Sequence, residues 1–203
     1  MEGIRRIVSS TPKETGAELI SDEALQKLTI GQRKAHNAPI TLVDYDPGWA
    51  ALFAREADRI RAVLGEAVVL VEHVGSTAVP GLAAKPIIDI LLVVPNSADE
   101  ASYVPLLESA GYVLRVREPE WFEHRFFLGP DTDINLHVFS VGASEIDRML
   151  CFRDRLRTSQ AERDYYERTK RALAQRVWRH VVHYAEAKTP VIQEILDRAQ
   201  AQQ

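Results

Sequence analysis

Cysteine is almost absent. Cys151 is the single one in 203 residues, so no disulfide can form within the chain. It sits in Met149-Leu150-Cys151-Phe152, an apolar patch without a zinc-like partner nearby, and reads as a small buried hydrophobe rather than a nucleophile. Long hydrophobic runs are absent too. Charge interrupts every apolar stretch well before membrane-spanning length, and the amino terminus has no hydrophobic signal core. The expectation is a cytoplasmic protein with no membrane partner. A basic excess is missing: 25 Lys and Arg stand against 29 Asp and Glu, a formal charge of -4, which argues against a generic nucleic-acid binder. There are no internal repeats and no low-complexity segments.

What is present is ordinary in bulk, with 46% hydrophobic and 27% charged residues, as in a globular protein. The length suits one domain, or one domain with a helical appendage, and it can bury a core without disulfides or metal staples. Charge is uneven. From Glu145 to Arg198 there are twelve Lys and Arg against nine Asp and Glu, a balance expected of a solvated, ion-paired helical surface.

Residues 1–38 are rich in Ser, Thr, Lys, Glu and Gln, with a weak helical pattern at Ser21 to Leu28, and read as a partly flexible extension. A core of residues 39–143 is expected next. It opens with a short strand at Pro39–Val43, followed by a helix with Asp46 as N-cap and Pro47 in its first position. Trp49, Leu52, Phe53, Ile60 and Leu64 recur at helical spacing, and Gly65 supplies a stop. Strands are predicted at Ala67–Val74, Pro86–Val94, Tyr112–Arg117, Trp121–Leu128 and Ile134–Ser140, with a helix at Asp99–Ala110. Residues 144–203 read as a helical carboxy-terminal part packed on the core, its last helix opened by Thr189-Pro190. Neighbouring strands without a crossover helix imply a mixed or antiparallel sheet, hence an α/β (α+β) fold and not a doubly wound one.

The chemistry concentrates between the second and third of these strands. A small residue at a strand end, Gly75, lets the backbone turn sharply and approach a ligand. Ser76 and Thr77 add hydroxyl donors to make a cradle for phosphate oxygens, and Lys85 adds a point charge. Asp89 stands alone in Ile87-Ile88-Asp89-Ile90-Leu91, where a carboxylate is costly to bury unless it meets a cation, a metal or strong donors. The alternative is a structural partner for Lys85 or an arginine. The order of strand, Gly-Ser, short linker and strand with an inward acid resembles the nucleotidyltransferase superfamily.

Longer segments carry a closer resemblance. Asp44-Tyr45-Asp46-Pro47-Gly48-Trp49, Glu72-His73-Val74-Gly75-Ser76-Thr77 running on to Lys85-Pro86-Ile87-Ile88-Asp89, Leu136-His137-Val138-Phe139 and Tyr184-Ala185-Glu186-Ala187-Lys188-Thr189-Pro190 resemble the GrpB family over roughly residues 38 to 200. The resemblance implies a nucleotidyltransferase-like mixed β-sheet flanked by helices. It also implies nucleotidyl or phosphoryl transfer with Mg2+ or another divalent ion, Asp89 being the catalytic carboxylate. Some relatives are similar to a module fused after dephospho-CoA kinase, which points toward coenzyme A metabolism.

Against active transferases the acid set is short. Two metal ions need two or three carboxylates, yet Leu91 occupies the position alternating with Asp89, and the later strand offers Asn135 and His137. Asp131 and Asp133 lie in the turn. Glu72, His73 and His124 are further candidates to compensate. Asp89 with His137, and His73 nearby, would make a single site of mixed ligands, although a strand histidine is also an ordinary hydrogen-bonded core residue. Glu123 and Arg125 share one strand face by alternation and would extend the phosphate site if that face is Asp89's; otherwise they form a solvent-facing ion pair. Arg153, Arg155, Arg157, Arg168, Lys170, Arg171 and Lys188 offer a second route to phosphate. Arg153, Arg157 and Arg171 would face the cleft if the helices pack across it, and Tyr165, Tyr166 and Tyr184 would stack on a base; equally, all of these can cover a bundle face with their stems. Three functions follow: a nucleotide- or phosphometabolite-binding protein with transfer activity, a non-catalytic accessory module, and an interaction protein with a vestigial pocket.

Overall fold

A computed structural model describes residues 19–32, 35–131 and 133–201. Five strands form one mixed sheet: β1 (Leu70–Val74), β2 (Ile88–Val94), β3 (Val113–Glu118), β4 (His124–Leu128) and β5 (Ile134–Ser140), in the order β1-β2-β5-β4-β3. Only β2 and β5 run parallel, so the expected mixed sheet is what forms. The helices are α1 (Asp22–Leu28), α2 (Gly48–Leu64), α3 (Val104–Ser109), α4 (Ser144–Thr158), α5 (Gln160–Ala174), α6 (Val181–Ala187) and α7 (Thr189–Gln200). Among the described residues none is long and apolar enough to cross a membrane.

Alternation divides the sheet into two faces. Ile88, Ile90, Leu92 and Val94 of β2, with Leu136 and Val138 of β5, pack against Trp49, Ala57, Ile60 and Leu64 of α2 and Leu107 of α3 to form the main core. The opposite face presents Val74, Leu91, Val93 and Phe139 to Trp121 and to Ile146 of α4. Asp89 belongs to this second face.

Several boundaries differ from the sequence expectation, each for a local reason. Pro39–Val43 is no strand: Val43 makes one bridge to Ala84, Ile40 donates to the Ala174 carbonyl, and the segment ties the carboxy-terminal helices to the β1–β2 connection. Asp46 does accept a hydrogen bond at the start of α2, from the Gly48 amide at 2.8 Å, but the helix begins at Gly48, one residue after Pro47. The Asp99–Ala110 helix is split at Tyr103 because Pro105, lacking an N–H, must open a new first turn. Trp121–Leu128 begins as a strand only at His124, since Phe122 and Glu123 adopt φ values of 52° and 51°. Cys151 is half-buried rather than enclosed.

Of the amino-terminal extension, residues 1–18, where flexibility was expected, lie outside the described residues, as do 33 and 34. The part that is described is docked. Ser21 caps α1, Leu25 is fully buried, and Ile30 donates to the Arg115 carbonyl at the edge of β3. Asp22 binds Arg179 and His180 on the far side.

Beneath α2 the fully buried Glu56 accepts from the Tyr112 hydroxyl at 2.8 Å and from Arg55 at 3.4 Å. Tyr112→Phe would leave a buried carboxylate short of a donor, an expected loss of about 1–3 kcal/mol. Urea denaturation read at the midpoint checks this; an unchanged midpoint would show that Arg55 and Arg59 suffice.

Candidate functional site

The site follows from strand register. Val74, the last residue of β1, stands opposite Asp89, and Asp89 stands beside Asn135 of β5. The chain leaving β1 must therefore pass directly over the Asp89 carboxylate. Gly75 makes this passable: its φ of 70° lies in the left-handed region, and a methyl group there would lie 2.9 Å from Cβ and Cγ of Asp89. Ser76–Ala78 then form one 3-10 turn.

Around this point opens a cleft of about 240 Å³ whose lining includes Gly75, Ser76, Thr77, Lys85, Asp89, His137, Lys170, Tyr184 and Lys188. Three lysines converge on it from three segments. Lys170 of α5, 1% exposed, donates to Ser76 Oγ at 3.1 Å and to the Ala83 carbonyl. Lys85 and Lys188 each have a favourable electrostatic interaction with Asp89. Burial pushes Lys170 down to about 7 and Lys85 down to about 8, and the charge of Lys188 adds to both shifts. Burial likewise lowers Lys188 and raises Asp89, whose Oδ1 accepts from Asn135 Nδ2 at 2.8 Å. Lys188 repels both Lys85 and Lys170, and Lys85 and Lys188 face the desolvated Asp89, an arrangement that an incoming anion would relieve.

A hydrogen-bonded chain enters from the other side. Glu118 Oε2 accepts from His124 Nδ1 at 2.7 Å, and His124 Nε2 meets His137 Nδ1 at 3.1 Å. Burial, then the charge of His124, lowers His137 to about 3, so this ring is neutral. Its Nε2 lies 4.0 Å from Asp89 Oδ1.

The structure thus brings together Gly75, Ser76, Lys85, Asp89 and His137. Thr77 reaches the cleft, but its hydroxyl donates to the Ile87 carbonyl at 3.0 Å and so accepts from His73 Nε2 at 3.1 Å, serving the fold. Glu123 and Arg125 are not part of the site. Phe126, not Arg125, stands beside His137, which puts Arg125 on the opposite face, where it bonds Glu100 at 2.5 Å. Arg153 holds Glu72 and the His73 carbonyl, Arg157 holds the Ala78 carbonyl, and Arg171 holds Glu167 and Asp44. Tyr165 bonds Glu194, whereas Tyr166 and Tyr184 line the cleft. Two residues of the site carry no motif in the sequence, Arg148 and Glu118. Glu118 shares the face of Val116, because a bulge after Leu114 resets the alternation of β3. Lys170, a sequence candidate, falls within the helical stripe of Tyr166 and Leu173.

The fit to a metal is poor. Among the described residues no group of three or more His, Cys, Asp or Glu side chains can hold an ion. Asp89 and His137 provide two donors, and the neighbouring position, Leu91, is fully buried in the apolar cluster. The second carboxylate that a two-ion centre calls for is absent from that position.

Residues 39–198 match the protein family described as GrpB protein. A UPF0157 protein of Halalkalibacterium halodurans is 64% identical over 193 residues, which span 95% of each chain. The crystal structure of conserved protein GrpB from Enterococcus faecalis is similar with a TM-score of 0.70 and 32% identity, over 80% of this chain and 98% of that one. Over a shorter stretch of 86 residues a dephospho-CoA kinase of Mycolicibacterium paratuberculosis is 40% identical, covering 41% of this chain and 21% of that one.

Two outcomes test the geometry. Gly75→Ala is expected to displace Asp89 and lower the melting temperature by several degrees; a structure with Asp89 unmoved would overturn the close-approach argument. The lysines give a pH signature. Their folded pKa values lie below the unfolded value of roughly 10.4, so between about pH 7 and 10 the unfolded chain binds more protons and stability rises with pH. Lys170→Met should flatten that rise in denaturation midpoints measured across the window.

Proposed function

The chain belongs to the GrpB family, and we propose that its cleft binds a nucleotide or another phosphorylated small molecule. The observation that carries this reading is the convergence of Lys85, Lys170 and Lys188 beside Ser76 in one cleft, with Asp89 the carboxylate that Lys85 and Lys188 share. Lys170 approaches the Ser76 hydroxyl as a donor, and Tyr166 is that hydroxyl's second hydrogen-bond partner. The ammonium groups supply point charges suited to a phosphate without fixing its orientation. Tyr184 adds a buried hydroxyl without a hydrogen-bond partner on the wall of the same cleft. A bound dianion would raise the lysine pKa values again, so binding takes up protons and weakens above about pH 7 to 8.

A second reading, nucleotidyl or phosphoryl transfer with one divalent ion, draws on Asp89 and the neutral His137 ring, 4.0 Å apart. These two side chains would leave most of an ion's shell to the ligand and to water. The partial similarity to a dephospho-CoA kinase favours, as the non-catalytic alternative, an accessory module that holds a phosphorylated metabolite. Its coverage, a fifth of that chain, transfers no kinase activity.

Thermal shift separates these. Inorganic phosphate or AMP alone should raise the melting temperature, because preferential binding stabilises the native state, and Lys188→Met should abolish most of the shift. A shift that appears only with Mg2+ or Mn2+ and is lost in Asp89→Asn would favour transfer. No shift with any phosphate compound would sink the binding reading.

A further inference from the structure

The cleft changes character along its length. Its floor is one sheet face, with Asp89, Leu91 and Val93 of β2 in register with Asn135, His137 and Phe139 of β5. Asn135 to Phe139 is four residues, about 13 Å at roughly 3.3 Å per residue. The lysines gather at the Asp89–Asn135 end, since Lys170 bonds Ser76 and both Lys85 and Lys188 act on Asp89. The Phe139 end is mostly apolar. Trp121 stands edge-on to Phe139 with ring centroids 5.5 Å apart, and Ile146 and Met149 of α4 close over them. Glu145 and Arg148 also line the cleft; they pair at 3.0 Å, and the buried Arg148 Nε has no hydrogen-bond partner among the described residues. His137 lies between the two ends.

Size adds a second limit. Pockets that enclose drug-sized ligands span roughly 300–1,000 Å³, and this one offers about 240 Å³. A compact ligand fills that space, and the further charges of a nucleoside triphosphate would have to lie outside it or over the aromatic end.

We propose that the ligand is a small phosphomonoester of an apolar alcohol, aryl or branched alkyl, with its phosphate among Lys85, Lys170 and Lys188 and its hydrocarbon body over His137 toward Trp121, Phe139 and Met149. This deepens the phosphate reading and rests on it. The apolar end contributes by removing hydrocarbon from water, an effect proportional to the area covered. It selects against compounds that carry a polar sugar there, whose hydroxyls would lose their water without replacement.

Titration calorimetry with phenyl phosphate, inorganic phosphate and ATP tests it. Phenyl phosphate is expected to bind at least tenfold more tightly than inorganic phosphate and more tightly than ATP. In Met149→Gln, a half-buried position on the cleft wall, the ratio of phenyl phosphate to inorganic phosphate affinity should fall below threefold, with melting temperature confirming the fold. Equal affinities for phenyl and inorganic phosphate, or tighter binding of ATP, would overturn this inference and leave the phosphate reading standing. Absence of binding by all three compounds would remove both.

Discussion

At Gly75 the chain crosses Asp89 with no room for a side chain between them, and the site depends on that crossing. The antiparallel register of β1 and β2 sets Val74 against Asp89, so the connection cannot leave the sheet anywhere else. Having crossed, it is pinned from several sides. The Thr77 hydroxyl ties it to Ile87, and Ala84 bridges to Val43. Ala83 is clamped twice by α5, its amide donating to Glu167 at 3.1 Å while its carbonyl receives Lys170. Glu167 and Lys170 are three residues apart and so share one helix face. The lysine that charges the cleft is therefore also one jaw of the clamp that shapes it, which couples the geometry of the phosphate end to the docking of the carboxy-terminal helices.

That coupling explains how the protein tolerates an electrostatically unfavourable centre. Three lysines held below their usual range weaken the unliganded fold, and the compensation comes from elsewhere: the α2-facing core, the aromatic cluster of Trp121, His124 and Phe139, and the apolar packing of Val79 and Leu82 against Leu156, Val191 and Ile195. Folding pre-arranges the charges, so a ligand need not gather them. The Glu118–His124–His137 chain likewise fixes the position of a ring through buried hydrogen bonds instead of leaving a mobile imidazole at the surface.

Much of the fold could be read from the sequence because its signals are local. The helical stripe of α2, the glycine stops at Gly65 and Gly111 and the β-branched runs of β1 and β2 each report their own segment. Gly75, Ser76, Lys85 and Asp89 lie close in sequence, so the pattern that exposes them is also local. The rest required tertiary knowledge. Lys170 meets Ser76 across 94 positions, and nothing short-range ties α6 and α7 to the mouth of the cleft. For Glu123 and Arg125 alternation paired the residues but could not name the face, and the adjacent Phe126 and Phe127 hid which side was core. The left-handed turn at Phe122 and Glu123 removed Glu123 from the strand altogether.

Leu91 is the position at which the two readings of the cleft part. On the nucleotidyltransferase reading, a second acid two residues beyond Asp89 would share a cation with it over the sheet face. Leu91 stands there instead, fully buried among Val74, Val93 and Phe139 and in register with His137. An ionised carboxylate in that cluster would disrupt the contact with Trp121 and Ile146. The apolar cluster and a second acid are thus competing uses of one strand position, and the neighbouring Asp89 and His137 line a cleft that also carries Lys85, Lys170 and Lys188.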